Sequence, residues 1–420
     1  MYPFKEVAQL LSPHASRIRQ LYVSCKSDGI SQFFSTLTPD LPNLLDLYIG
    51  IRHEIDETLL PMAIIVPGPD SLKVPRLRRL RVVGGVFKWQ MPPLKSLREF
   101  EVGFTTPFDE NDRVYTFRQF LRMLRSCRGL KKLDSRQYFG EPLLPGIQYG
   151  SIVPLVNLDS ISLTTSWMET MAALLSHLYL PRCRQVTIRG AVIAQGTTGG
   201  QNLWIFPANF MEILPRFNDG FDTVTIDWWG SENMNLVVSN SDPKSPSRSF
   251  AIEGATTFLA PDFTTVPLTI SAFLRRWPIT RLELRRDVFP IDLDCWEKVL
   301  RRLPSLRSLD IIMDPRYSTA STCSSLINLF TALCSVVEGE VVCPNLVSIS
   351  FKAYTTVVNE VLGSLLDCWG RRKGQGYVST ELRIEEKAIF ERTEGKECAD
   401  YVVTLEEEGC VFVLDVEFAQ

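Results

Sequence analysis

One short apolar phrase, Φ-x-x-Φ-x-Φ, recurs from one end of this chain to the other. It is clearest in Val74-Pro75-Arg76-Leu77-Arg78-Arg79-Leu80-Arg81-Val82-Val83, where Leu77, Leu80 and Val82 fill the Φ positions. The last two Φ residues alternate with polar ones, so in a strand they share one face while Arg79 and Arg81 take the other. The phrase starts again at Ile18, Leu44, Leu97, Leu158, Cys183, Phe221, Ile279, Leu306 and Leu346, with degenerate copies at Leu130 and Leu382. Self-similarity on the scale of one supersecondary unit marks a solenoid.

Between the phrases lie stretches with apolar residues at helical spacing. Phe117, Phe120, Leu121 and Leu124 form an i, i+3, i+4, i+7 stripe that predicts a helix over 116–127. Helices are predicted likewise over 31–37, 167–178, 210–217, 268–277, 293–303, 326–337 and 356–369. A helix between consecutive strands returns the second parallel to the first. The expected architecture is therefore an α/β solenoid with a curved parallel sheet inside and helices outside. Its repeats are irregular: Leu77 to Leu97 is a step of 20 residues and Phe221 to Ile279 one of 58.

Residues 1–17 are expected to cap the first repeat as a helix, 18–386 to form the solenoid, and 387–420 to close it. Insertions fall near 191–206 and 230–262. In the second, the turn-rich Asn240-Ser241-Asp242-Pro243-Lys244-Ser245-Pro246-Ser247 predicts a hairpin or loop projecting from the solenoid between 235–238 and 250–252. In the first, Gly196, Gly199 and Gly200 predict a loop over 194–202. At the C-terminus, 397–408 is expected to be the last helix, stopped by Gly409 before a strand at 411–416. A hairpin is the alternative, because three glutamates at the end of that helix oppose its dipole and 401–405 suits a strand.

A chain of 420 residues, 45% hydrophobic and 22% charged, can bury a large core and is not of a disordered class. Its formal charge of −3 gives no global attraction to nucleic acid or to an anionic membrane. The ten cysteines include no C-x-x-C pair, and Cys183 sits in a Φ position, where cysteine acts as a small hydrophobe. That usage suits a reduced, intracellular chain. Met1-Tyr2-Pro3-Phe4-Lys5-Glu6 lacks the basic and apolar regions of a secretory signal. The most apolar stretch, 59–66, is broken by Pro61 and is about a third of a membrane span. A cytoplasmic or nuclear location is expected.

Catalytic chemistry finds little support. The histidines are His14, His53 and His177 alone. His53-Glu54-Ile55-Asp56-Glu57 opens like a zinc-protease helix but has Glu57 where the second ligand histidine is needed. No nucleophile elbow or phosphate loop is present, and the pairing of His14 with Cys25 is a weak candidate for nucleophilic catalysis. The clusters Arg275-Arg276, Arg301-Arg302 and Arg371-Arg372-Lys373 close predicted helices, where cations offset the terminal partial charge. No catalytic, metal or cofactor residue is assigned; a hydrolase or transferase site in the two insertions is the competing expectation.

Leu77-Arg78-Arg79-Leu80-Arg81-Val82 and Leu306-Arg307-Ser308-Leu309-Asp310-Ile311 resemble leucine-rich repeats, although the usual Asn or Cys after the strand is mostly missing. A helix followed by Leu-Pro and a strand, as in Arg301-Arg302-Leu303-Pro304-Ser305-Leu306, resembles the irregular repeat region of fungal F-box proteins. Pro13-His14-Ala15-Ser16-Arg17-Ile18-Arg19-Gln20-Leu21 is similar to the way such regions begin after the F-box. The resemblance implies non-catalytic substrate recognition for a ubiquitin ligase. The 17 residues before Ile18 are too few for an F-box, so an adaptor is an expected partner only through an F-box outside this chain. A truncated paralogue without activity is a further alternative.

The face opposite the leucines is the expected protein-binding surface, the concave one of a solenoid. Its named residues are Tyr22, Asp46, Tyr48, Arg79, Arg81, Glu99 and Glu101, followed by Asp227, Trp229, Arg281, Glu283 and Arg285. Tyr, Trp and Arg supply most of the energy at protein interfaces. Neither nucleic acid nor membrane is expected there.

Overall fold

Each of the Φ-x-x-Φ-x-Φ phrases forms a strand or runs into one. The computed structural model describes residues 4–25, 27–37, 40–51, 65–66, 73–84, 86–87, 94–104, 110–137, 151–164, 168–189, 213, 221–229, 233–240, 248–256, 274–275, 277–286, 291–313, 320–337, 340–375, 377, 381–390, 402–407 and 410–418. The chain divides into two compact units, Met1–Val192 with Ile205–Phe217, and Ile193–Trp204 with Asn218–Gln420. Both are α/β with largely parallel strands.

The first unit opens with helix α1 (Phe4–Leu11), which packs on α2 (Ser27–Thr36). Its strands are β1 (Gln20–Cys25), β2 (Asp46–Ile51), β3 (Arg79–Val83), β4 (Glu99–Phe104), β5 (Lys132–Gln137), β6 (Ser160–Thr164) and β7 (Gln185–Arg189). They lie side by side in chain order, each parallel to the last. One register runs through all seven, so Leu21, Leu47, Leu80, Phe100, Leu133, Ile161 and Val186 form a single row across the sheet. None of these is more than 7% exposed. Such burial stabilises by about 1.5–3 kcal/mol per side chain. A second buried row runs from Val23 to Ile188 and contains one polar member, Ser135, whose hydroxyl has no hydrogen-bond partner among the described residues.

The predicted helix over 116–127 is α3 (Glu110–Ser126), and Phe117, Phe120, Leu121 and Leu124 are all buried as the stripe requires. The Phe120 ring lies 6.5 Å from that of Phe100, tying the helix to the sheet. Helix α4 (Met168–Ser176) matches the stretch predicted over 167–178, except that Leu178–Tyr179 leaves it to pair with Val153–Pro154.

A further apolar position stands three residues before each phrase of the first unit. Leu41, Val74, Leu94, Cys127, Leu155 and Leu180 are buried, and each carbonyl accepts the N–H of the first Φ residue at 3.0–3.2 Å. The result is a β-turn, with proline second in the turns at Pro42, Pro75 and Pro181, where its fixed φ is suited and its missing N–H costs nothing. Asparagine before the first Φ residue joins one repeat to the previous one: Asn43 Nδ2 donates to Ser16 O at 2.7 Å and Asn157 Nδ2 to Arg128 O at 2.9 Å. The side-chain bridge is thus made ahead of the strand.

The second unit contains β8 (Thr223–Trp229), β9 (Asn233–Ser239), β10 (Ser249–Thr256), β11 (Arg281–Arg286), β12 (Ser308–Met313), β13 (Ser348–Tyr354), β14 (Glu381–Phe390), β15 (Val402–Glu407) and β16 (Cys410–Phe418). Its helices are α5 (Leu293–Leu300), α6 (Ala320–Leu333) and α7 (Thr355–Gly374). Strands β8, β11, β12, β13, β14 and β16 are parallel, and Val224, Leu282, Leu309, Ile349 and Leu382 form one buried row. The same proline turn recurs at Leu303-Pro304-Ser305-Leu306 and Cys343-Pro344-Asn345-Leu346.

Two expectations are corrected here. The segment 397–408 is not a helix over its described part: β15 pairs antiparallel with β16. Alternation of Val403 and Leu405 with Thr404 and Glu406 suits a strand, and Glu406, Glu407 and Glu408 oppose a helix C-terminus. The 230–262 insertion forms the expected hairpin, β9 with β10, but does not project. Its strands β9 and β10 are hydrogen-bonded antiparallel beside β8, which satisfies backbone groups that a projecting ribbon would leave to water. Helix α6 also begins and ends earlier than 326–337, and Val336–Val337 turns back on Glu340–Val341. The loop over 194–202, the helix over 210–217 apart from Ile213, most of 268–277, and the segment 241–247 lie outside the described residues.

Arg372 does more than offset charge at a helix end. It is fully buried, and its guanidinium donates to Leu333 O at 2.7 Å, Val342 O at 2.9 Å and Cys343 O at 2.7 Å. The planar fork thereby closes the end of α6 and the turn at Cys343, whose φ of 51° is left-handed. Arg372→Lys leaves at least one of these carbonyls without its donor and is expected to lower the unfolding free energy by about 2–4 kcal/mol in urea denaturation. A loss below about 1 kcal/mol contradicts this role.

Candidate functional site

The parity that buries the leucines turns the intervening residues outward in rows. On the first unit one row is Gln20, Asp46, Arg79, Glu99, Lys132, Ser160 and Gln185, and the next is Tyr22, Tyr48, Arg81, Glu101, Asp134, Ser162 and Thr187. Neighbours in a row are one strand spacing apart, about 4.8 Å, so opposite charges on adjacent strands meet. Arg79 reaches Asp46 Oδ2 at 3.0 Å and Glu99 Oε2 at 2.8 Å. Arg81 pairs with Glu101, which Arg136 also approaches at 3.3 Å. Arg136 lies 3.5 Å from Asp134 as well.

The hydrogen bond from Arg79 holds the Glu99 carboxyl below its ordinary value, against the opposing effect of partial burial. In turn Glu99, then Asp46, raises the Arg79 guanidinium. At the edge of this ladder the rings of Tyr22 and Tyr48 lie 6.0 Å apart, and the Arg81 guanidinium sits over Tyr48 at 5.9 Å. Gly50 makes room for that arrangement, because a Cβ there would meet Tyr48 Oη at 2.8 Å. Tyr22 is 61% exposed, which is unusual for a ring of this size and leaves a face open to a partner.

The second unit repeats the scheme around Glu283. This carboxylate is buried, accepts from Thr225 Oγ1 at 3.1 Å, and pairs with Arg281 at 3.1 Å and Arg285 at 2.7 Å. Arg281 continues to Asp310 at 2.7 Å, a hydrogen bond that raises its pKa. Arg286 Nε stands 3.3 Å from Asp227 Oδ1, within ion-pair range but not aligned as a hydrogen bond.

The named surface residues thus fall into two groups. Tyr22, Asp46, Tyr48, Arg79, Arg81, Glu99 and Glu101 come together on the first unit, and Asp227, Arg281, Glu283 and Arg285 on the second. Trp229 ends β8, with its side chain outside the described residues. Sequence reasoning left out Asp134 and Arg136, because the phrase at Leu130 is degenerate. Their distance from Leu130 is that of Arg81 and Val83 from Leu77, and that count assigns them to the ladder.

The other candidates are dispersed. His14 is exposed whereas Cys25 is buried, His53 lies outside the described residues, and the buried His177 has Nδ1 at 2.7 Å from Ala173 O. Burial pushes the Cys127 thiol up to about 11 and the Cys183 and Cys343 thiols to about 12, the reverse of nucleophile activation. Among the described thiols with a shift, Cys334 alone is lowered, by the hydrogen bond from Cys368. Among the described residues no group of three His, Cys, Asp or Glu is placed to hold a metal ion. No helix among them is long and apolar enough to cross a membrane. Comparison with protein-family models and with curated proteins finds no match for this chain.

Glu99 gives the ladder a pH signature. A carboxyl whose folded pKa is depressed contributes stability above its unfolded pKa, ordinarily near 4.5, and loses it as pH falls through the folded value. Arg79 is half exposed, so Arg79→Gln is expected to cost about 0.5–1 kcal/mol at neutral pH. The difference from the unsubstituted chain should shrink below pH 4.5, and the Glu99 titration seen by NMR should move up. A cost that grows on acidification contradicts the pairing.

Proposed function

We propose that this chain is a leucine-rich-repeat solenoid that binds another protein on its polar sheet face, as the substrate-recognition module of a ubiquitin ligase. The observation that supports the binding role is the ladder: charged and aromatic side chains held at fixed strand spacing, paired laterally, with the arginines still about half exposed. Side chains already ordered lose less conformational entropy when a partner docks. Arginine and tyrosine are also the types that anchor protein interfaces. The repeat-family and ubiquitin-ligase parts of the reading rest on the sequence resemblance to the repeat region of F-box proteins.

Affinity capture with quantitative mass spectrometry tests the binding role. The chain with Tyr22→Ala and Tyr48→Ala is compared with the unsubstituted chain and with Arg118→Glu, a change of an exposed residue on α3. A specific partner should be recovered about tenfold less with the tyrosine pair removed and unchanged with Arg118→Glu. Equal recovery in all three, or no partner captured by the unsubstituted chain, contradicts it.

A further inference from the structure

Just before the strands begin, the first unit carries a groove of about 1200 Å³ whose charge differs in sign from that of the whole chain. Its lining includes Arg19, Arg76, Arg78, Arg79, Arg98 and Lys131. Only two carboxylates, Asp46 and Glu99, face them, so the lining carries four net positive charges within a chain of net −3.

Both carboxylates are already engaged by Arg79. Arg76 donates to Asn43 Oδ1 at 3.1 Å and Arg98 to Gly129 O at 3.1 Å, so neither guanidinium is neutralised there. For the side chains of Arg19, Arg78 and Lys131 there is no hydrogen bond or ion pair among the described residues. These cations are not scattered. Arg19, Arg78, Arg98 and Lys131 each stand immediately before a strand, and the carbonyl of each receives two N–H groups of the following repeat. That backbone lock sets Arg78, Arg98 and Lys131 on three adjacent strands at steps of about 4.8 Å, with Arg19 about 10 Å from Arg78 across the Leu45 position.

We propose that this strip binds an extended acidic segment of a protein partner, one carrying several Asp or Glu side chains in a short run. The inference rests on the protein-binding reading and assigns it a chemical class of ligand. Alternate side chains of an extended peptide recur on one side about 6.8 Å apart, within reach of long cationic arms rooted 4.8 Å apart. Arginine receives carboxylates through paired N–H donors, which favours this planar acid over a spherical ion. Nucleic acid is the other polyanion to consider. Single strands are held by bases stacked on aromatic rings, and no aromatic residue lines the groove.

Fluorescence anisotropy on the full chain tests the assignment, with a labelled oligoglutamate as probe and an oligothymidylate of equal charge as competitor class. Arg78→Glu with Lys131→Glu reverses two exposed cations that have no partner among the described residues, and Arg118→Glu with Arg122→Glu makes the same charge change on exposed positions of α3. Should the reversal unfold the chain, Arg78→Gln with Lys131→Gln serves in its place. The expected result is oligoglutamate binding that weakens about tenfold with the groove pair and falls with salt, while the α3 pair leaves it within about twofold. Equal weakening by both pairs, tighter binding of oligothymidylate, or no binding of oligoglutamate overturns the proposal. Partner capture that depends on Tyr22 and Tyr48 while oligoglutamate does not bind would sink the acidic-segment assignment alone; loss of both would sink the protein-binding reading with it.

Discussion

A carbonyl oxygen shared between two N–H donors sets the register on which everything else in this protein depends. Arg78 O accepts from Arg98 N at 2.7 Å and Glu99 N at 2.9 Å, and Arg98 O accepts from Lys131 N at 2.7 Å and Lys132 N at 3.0 Å. The second unit does the same with Thr280 O, which receives Arg307 N at 2.7 Å and Ser308 N at 2.9 Å. Each such oxygen fixes where one strand starts relative to its neighbour. A slip of a single residue would send Arg79 and Arg81 into the core and bring Leu80 and Val82 to water. The proline turns ahead of the strands assist by fixing the chain direction before pairing begins.

The same lock explains why the charges form a ladder. Side chains two residues apart share a face, and neighbouring strands present theirs at one strand spacing, so Asp46, Arg79 and Glu99 are brought together by the backbone alone. Exposed pairs of this kind contribute little to stability, about 0–1 kcal/mol each. Their effect is to order long side chains on a surface. Where the pattern lacks carboxylates, as at Arg78 and Lys131 just before their strands, the cations are left exposed.

Much of this was legible from residue spacing, because strand parity is a local property. Leu77, Leu80 and Val82 announce both the buried row and, by exclusion, Arg79 and Arg81 opposite. The turn Φ-Pro-x-Φ was equally present in Leu41-Pro42-Asn43-Leu44 and its relatives, yet a phrase defined by its last three apolar residues begins after it. Other features depend on partners distant in the chain. Strands β9 and β10 are ordinary alternating segments, and whether they project or join a sheet is decided by the edge offered by β8. Arg372 reads as one more helix-end cation until Leu333, Val342 and Cys343 are brought to it from 29 to 39 residues away. Glu397 to Glu408 held a conflict between acidic residues and helix formation, and the pairing of β15 with β16 resolved it toward the strand.

The single register is tested most directly by cysteine accessibility along β3. Arg79→Cys, Leu80→Cys, Arg81→Cys and Val82→Cys are made one at a time, labelled under native conditions with a neutral maleimide and read by peptide mass spectrometry. Thiols at 79 and 81 should label at least about tenfold faster than those at 80 and 82. Uniform labelling, or faster labelling at 80 and 82, would contradict the register and with it the polar face.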